Sequence, residues 1–417
     1  MDNHRSDLDK AGKRFDDWAR DALFDPKHRS ASELLSRAVD IHLTALYREF
    51  DMARHLATGK DNALDLATAL GFERSAAVML EGLLDRLARY GFLDAVGEFD
   101  ADERTAAGKR LGLEGDFGGT RWQRYHVLAE APDRDAELPV IETDMAAHGP
   151  DYPATLEFLA FGREHFAKSL RDQHDFMDRV LTGQEKAHEN TWNRATNTDP
   201  LQDIHGIMGA KAIELLFDGG TILEVGAGTG NGLRNNLDTL AATDRLDNVE
   251  RYIFTDVSMP FILNTRRAMN KRWPGVEIDW RLLNINKDFL EQRLPAASAD
   301  LVYGVNAAHI AMRMVEFLQQ CQRALRPGGR VVFAERLRDA ANTMAPREIV
   351  LNQSRYHRTA ARRHPDYRPM HAYLSRAHWL AAAQAAGFRR AAVWPGTDSL
   401  DGYFPEQYAA VFVAEID

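Results

Sequence analysis

From Thr221 to Leu233 the chain reads "TILEVGAGTGNGL", an apolar and β-branched run that breaks into three glycines within five residues before a helical stretch begins. A strand, a bare glycine turn and a helix N-terminus in that order let backbone approach a cofactor closely, and they present unpaired amides to it. The texture around the stretch extends the constraint. After about residue 205, short apolar runs ("TILEV", "RYIFT", "WRLLNI", "LVYGV", "RVVFA") alternate with helical segments. That alternation predicts an α/β fold, a parallel sheet wrapped by helices on both faces. "RPGG" at 326–329 ends one helix and hands the chain to a strand, and "RRAAVW" with "YAAVFVAEI" reads as two closing strands that pair antiparallel.

Before about residue 205 the period is helical. "ASELLSRAVDIHLTALYREF" and "ATLEFLAFGREHFAKSL" space their apolar residues by three and four. The expected division is therefore a mostly helical domain over 1–204, serving as lid or dimerisation element, and a catalytic domain over 205–417. The long polar connection near 338–373 is expected to be a helical insertion that covers a ligand site.

A formal net charge of −10 over 417 residues disfavours a phosphate backbone as partner. The single cysteine, Cys321, permits no disulfide within the chain and reads as an inert core residue. The charged N-terminus "MDNHRSDLDKAGKRF" has no apolar block of a signal peptide, and no run approaches the ~20 apolar residues that span a bilayer. The expectation is a soluble cytoplasmic protein with no membrane partner. No metal site is expected: His165 and His174 lie nine residues apart on nearly opposite faces of one helix, and neither His188 nor His205 has a second ligand spaced to match.

Three ligand classes use a glycine turn after a strand. A phosphate-binding P-loop needs a Gly-Lys-Ser/Thr run, and no lysine follows here before Lys271. The dinucleotide pattern needs glycine five positions after Gly226, where Asn231 stands. "EVGAGTG" resembles instead the first motif of class I methyltransferases, whose cofactor is S-adenosylmethionine and whose product is S-adenosylhomocysteine. The resemblance implies that Glu224 closes the strand and that Gly226, Gly228 and Gly230, with Ala227 between them, pass beneath the methionine moiety. It places Thr229 at the helix start. At the next strand tip, "RYIFTDVS" offers Asp256, followed by Val257, to the ribose hydroxyls, and in "LLNINKD" Asn284 and Ile285 flank the adenine, where the family commonly has an acid. The segment 61–100, "LDLATALGFERSAAVMLEGLLDRLARYGFLDA" and its flanks, resembles the winged-helix element of small-molecule O-methyltransferases, which serves dimerisation; a plain helical bundle is the competing reading.

A narrower resemblance covers about 205–417. "YIFTDVSMPFI", "LNINKDFLEQ", "LVYGVNAAHIAMRM" and "LRPGGRVVFAE" look like the C-methyltransferase domains of polyketide synthases, in order and at compatible spacing. That resemblance implies a catalytic pair of His309 and Glu335, and a small-molecule or carrier-protein-tethered acyl acceptor methylated on an acidic carbon. That family is usually embedded in a megasynthase, whereas this chain is expected to stand alone. Asn306 could place an amide donor near an enolate oxygen, and Tyr303 is a second polar candidate. The basic run "SRYHRTAARRH" could bind the phosphates of a carrier-protein arm or of coenzyme A, and its Tyr356 and His357 could instead line the acceptor pocket. Each of these residues also has an ordinary reading: a histidine at a helix start, a strand-end acid paired with Arg336 or Arg338, a turn asparagine, a solvated charge run. O-methylation of a hydroxyl is the alternative chemistry. A cofactor-sensing winged-helix regulator is the alternative class, against which the mixed charge of "SAAVMLEGLLDRLARYG" argues.

Overall fold

The computed structural model describes residues 7–23, 26–111, 122–171, 175–269, 271–338, 344–359, 361–396 and 409–416. His174, paired above with His165, lies outside them. The chain divides into a sheet unit (1–29, 196–337 and 373–417) and a helical unit (30–195 and 338–372). Two segments thus depart from the expected division. The first 29 residues join the sheet unit, and the insertion near 338–373 belongs to the helical unit.

The sheet unit is built on seven strands, β1 (Gly220–Glu224), β2 (Val249–Asp256), β3 (Ile278–Leu282), β4 (Ala299–Val305), β5 (Leu325–Arg336), β6 (Arg390–Trp394) and β7 (Ala409–Glu415), in the spatial order 3-2-1-4-5-7-6. The first five run parallel, and β7 inserts antiparallel between β5 and β6. This is the α/β architecture expected, with the order reversing between β1 and β4, where such sheets receive ligands.

Strand alternation assigns the two faces. On one, Ile222, Tyr252, Phe254, Leu301, Tyr303 and Val332 pack in a single cluster with α1 (Asp7–Ala22), α2 (Pro200–Leu216) and α3 (Asn231–Ala242). On the other, Phe333 stacks on Phe317 of α5 (Met314–Ala324) and on Phe412, which stacks in turn on Trp379 of α6 (Arg376–Ala386); α4 (Met259–Met269) follows β2. Asp199 caps α2 through the Leu201 amide at 2.9 Å, with Pro200 at the first helical position.

In the helical unit, the helix Ala77–Arg89 buries Leu80, Leu83, Leu84 and Leu87 on one face. It follows the short helix Ala63–Ala69 and precedes an antiparallel ribbon, Leu93–Glu98 with Gln123–Val127. Glu81 ties helix to ribbon: one oxygen accepts from the Gln123 amide at 3.0 Å and from Tyr125 Oη at 3.1 Å. Segment 338–372 is bound into this unit by Arg338–Glu348 at 2.5 Å, by Gln353 donating to the Gly162 carbonyl at 2.9 Å, and by Arg358 on Glu73. No described helix is long and apolar enough to cross a membrane, and among the described residues no three potential metal ligands converge.

Candidate active site

The turn after β1 is left-handed at all three glycines, with φ of +60° at Gly226, +52° at Gly228 and +85° at Gly230. At two of them space is also closed: a Cβ on Gly226 would lie 2.6 Å from Ala307 Cβ, and one on Gly230 would lie 2.5 Å from Thr265 Cγ2. Only glycine satisfies both conditions. The Ala227 amide donates to the Thr255 carbonyl at 2.9 Å, and the Gly228 amide to Asp256 Oδ2 at 2.8 Å. Asp256 Oδ1 accepts from the Ser258 amide at 2.7 Å. Asp256 therefore orders the loop as well as standing at the strand tip, and each oxygen keeps a lone pair for a ribose hydroxyl. Burial raises its carboxyl above the usual carboxylate range, against the pull of those amides.

Val257 is 59% exposed, and Leu282, register partner of Asp256 on β3, is 50% exposed. Two adjacent strand ends thus offer bare apolar surface of the kind an adenine ring covers. Ile285 is buried nearby in sequence, and Asn284 spends its side-chain oxygen on the Asn286 amide at 2.9 Å. Thr229 donates its hydroxyl to Asn197 Oδ1 at 2.7 Å and lies 3.2 Å from the Thr196 hydroxyl. Sequence reasoning passed over Asn197 and Thr196, since nothing local marks a residue 32 positions upstream as a loop partner.

At the ends of β4 and β5 the structure brings His309, Glu335 and Asn306 together. Glu335 is fully buried. Its Oε1 accepts from the Ala307 and Ala308 amides at 3.0 and 2.8 Å, and its Oε2 meets His309 Nδ1 at 2.7 Å. With Oε1 taken by two amides, Oε2 as acceptor assigns the proton to Nδ1, the tautomer that leaves the lone pair on Nε2. His309 is 4% exposed, and its ring lies 4.5 Å between centroids from Tyr373, a residue that no local motif marks. Asn306 adopts the left-handed region at φ +47° and accepts the Arg336 amide on Oδ1 at 2.9 Å. Its buried Nδ2 has no hydrogen-bond partner among the described residues.

Two expectations need correction. Glu224 does not face the turn: it is fully buried on the face covered by α1, α2 and α3, and its carboxyl accepts from Tyr252 Oη at 2.8 Å. Tyr303 is likewise fully buried, its hydroxyl lodged where Gly209 of α2 lacks a side chain. Both follow the core residues Ile222 and Leu301 by two positions, so the pleat turns them inward. Tyr356 and His357 belong to the helical unit, where the Tyr356 amide donates to Asp178 and His357 pairs with Asn352 Oδ1 at 2.9 Å. Cys321 is buried, and burial pushes its thiol up, as suits an inert core residue.

Residues 223–331 match the family described as a methyltransferase domain. The sheet unit thus carries a methyltransferase domain, the enzyme class whose methyl donor is S-adenosylmethionine. The reducing polyketide synthase grgA of a Penicillium species is 33% identical over 131 residues, 31% of this chain but 5% of the synthase. The chain spans that small fraction of the curated relatives it matches. Among solved structures, the DszA carbon methyltransferase superposes with a TM-score of 0.70 at 21% identity, covering 100% of this chain and 98% of its own. The trans-methyltransferase CalH, solved with S-adenosylhomocysteine, gives 0.61 at 18% identity over 93% of this chain and 92% of its own. At such identities the likeness is one of fold.

Proposed function

We propose that this protein transfers the methyl group of S-adenosylmethionine to an acidic carbon of a polyketide-like or 2-oxo acceptor, with His309 as general base. The observation that carries this reading is the buried His309–Glu335 pair at the carboxyl ends of neighbouring strands, beside the glycine turn. The residues fit the cofactor: a left-handed turn closed to side chains at Gly226 and Gly230, a strand-tip acid, and exposed apolar strand ends. Gly226–Gly230 and Asp256 would hold it, with Val257 and Leu282 against the adenine; bound there, it supplies an electrophilic methyl carbon.

A carbon beside a carbonyl has no free electron pair until a proton leaves. His309 Nε2 takes that proton, while Glu335 fixes the tautomer and stabilises the imidazolium that forms. Asn306, its carbonyl held by the Arg336 amide, has an unspent amide donor for the enolate oxygen. Tyr373 covers the imidazole and limits water around it. The polyketide-synthase relatives support an acyl acceptor tethered to a carrier protein.

The test is mass spectrometry of purified protein with S-adenosylmethionine and β-ketoacyl thioester, 2-oxo acid and phenolic acceptors, with fragmentation to locate the added methyl. Carbon methylation is expected. A methyl on oxygen would replace this reading with O-methylation, which the same pair could serve. Full activity of His309→Ala would point to an acceptor that needs no base.

A further inference from the structure

The acid that ends β1 does its work beneath the cofactor loop. Glu224 Oε2 accepts from Tyr252 Oη at 2.8 Å, and that oxygen accepts from Asn236 Nδ2 of α3 at 3.1 Å. Glu224 Oε1 lies against Gly232 in the first turn of α3, where a Cβ would collide with it and with the Tyr303 ring. Gly209 makes the matching room on α2 for the Tyr303 hydroxyl. Two helices therefore carry glycine where they cross one buried polar group.

Among the described residues, Glu224 Oε1, Asn236 Oδ1 and Tyr303 Oη have no partner at hydrogen-bond distance, although Asn236 lies near enough to act on the Tyr303 phenol. With an ionised carboxylate, two are pure acceptors and only the Tyr303 proton is left to share; a neutral carboxylic acid adds the missing donor. The first turn of α3 continues directly from Gly226–Gly230, so whatever sets its height sets the height of the loop amides.

We propose that Glu224, Tyr252, Asn236 and Tyr303 form a buried brace built around a protonated Glu224, and that Glu224 is a positioning residue for the cofactor loop rather than a cofactor ligand. This rests on the loop receiving S-adenosylmethionine, as argued above. The groups facing the carboxyl are consistent with it. Burial pushes Glu224 up to about 8; the Tyr252 hydrogen bond opposes the rise and the charge of Asp256 adds to it. Tyr252 and Tyr303 are pushed up by burial and by Glu224, with Tyr303 adding to the rise on Tyr252, Asp203 adding to it on Tyr303 and Asn236 opposing it on both, so neither phenol supplies a competing charge at neutral pH.

The experiment is calorimetric titration of the full chain with S-adenosylhomocysteine from pH 6.5 to 9.5, in wild type and Glu224→Gln, which mimics the neutral acid. At pH 7 the two affinities should agree within about threefold, and the wild type should weaken relative to the variant by up to about tenfold per pH unit above about 8. A ratio that stays constant with pH overturns the brace. If Glu224→Gln does not fold, the heat of the wild type in buffers of different ionisation enthalpy decides: proton uptake on binding at pH 8 beyond that at pH 6.5 supports the brace, and equal uptake overturns it. Folded wild type that gives no heat at any pH overturns the cofactor reading itself and the brace's role with it.

Discussion

His309 is fixed from two sides, by Glu335 on Nδ1 and by the Tyr373 ring, and the two contacts separate by substitution. Glu335→Gln keeps an oxygen for the Ala307 and Ala308 amides but turns an N–H toward Nδ1, which moves the imidazole proton to Nε2 and removes the base. We expect kcat to fall ~10²- to 10⁴-fold with S-adenosylhomocysteine binding intact, in single-turnover and calorimetric measurements, and His309→Ala to match it. Tyr373→Phe, which keeps the ring, should stay within a few-fold of wild type. Glu224 gives a stability prediction of a different sign. Its carboxyl is raised in the folded chain to about 8 from an ordinary 4.5, so the unfolded chain ionises first and stability falls as pH rises through that window. Glu224→Gln should therefore be more stable than wild type at pH 8, by on the order of a few kcal/mol in denaturant unfolding, and show little gain at pH 4.5. The catalytic pair was legible only through resemblance, because 26 residues separate its members and no local pattern joins them. The inward turn of Glu224 and Tyr303 was legible from alternation alone, since each stands two places after a core residue; reading the strand-end acid as part of the loop motif hid it.

At the scale of elements, the glycine turn was the most readable feature, because a positive φ and a closed space leave a direct mark on residue type. The three glycines are not equivalent. A Cβ at Gly228 meets nothing nearer than the Gly226 carbonyl oxygen at 4.0 Å, so Gly228→Ala adds only the strain of the left-handed region, ~1–2 kcal/mol. At Gly226 the same change adds a clash with Ala307, two residues before His309. S-adenosylhomocysteine affinity should drop about tenfold in Gly228→Ala and further in Gly226→Ala, which should also lose kcat because the displaced loop carries the base. Adding Ala307→Gly should restore part of the Gly226→Ala loss and none of the Gly228→Ala loss, a coupling that calorimetry on the double variants measures. The Asn197 and Thr196 contacts on Thr229 had no such mark, as asparagine and threonine are ordinary at a helix approach.

For the whole molecule, sequence texture placed the change from helical to alternating pattern near residue 205, and the sheet unit does resume at Thr196. What texture could not show is the return of distant segments. Helix α1 has the same amphipathic period as its neighbours, so nothing in it says which unit it covers. Its Leu8, Ala11, Phe15 and Ala19 are all buried, and Phe15 packs on Trp394 of β6 at 5.5 Å between centroids. Gly12 sits where a Cβ would come within 2.6 Å of the Trp394 indole nitrogen, so α1 approaches the sheet edge too closely for any other residue. Helix α1 is thereby part of the sheet unit's core. Phe15→Ala should cost ~3–5 kcal/mol, read as a lowered unfolding midpoint in denaturant with the slope unchanged. Gly12→Leu should reproduce much of that loss by overpacking, although it leaves every core side chain in place. If both variants unfold like wild type, α1 does not seal the sheet, and the segment 1–29 belongs to the rest of the chain only by proximity. If both are destabilised while Leu80→Ala in the helical unit leaves S-adenosylhomocysteine affinity of the folded fraction unchanged, the cofactor site depends on the sheet unit and its returning helix.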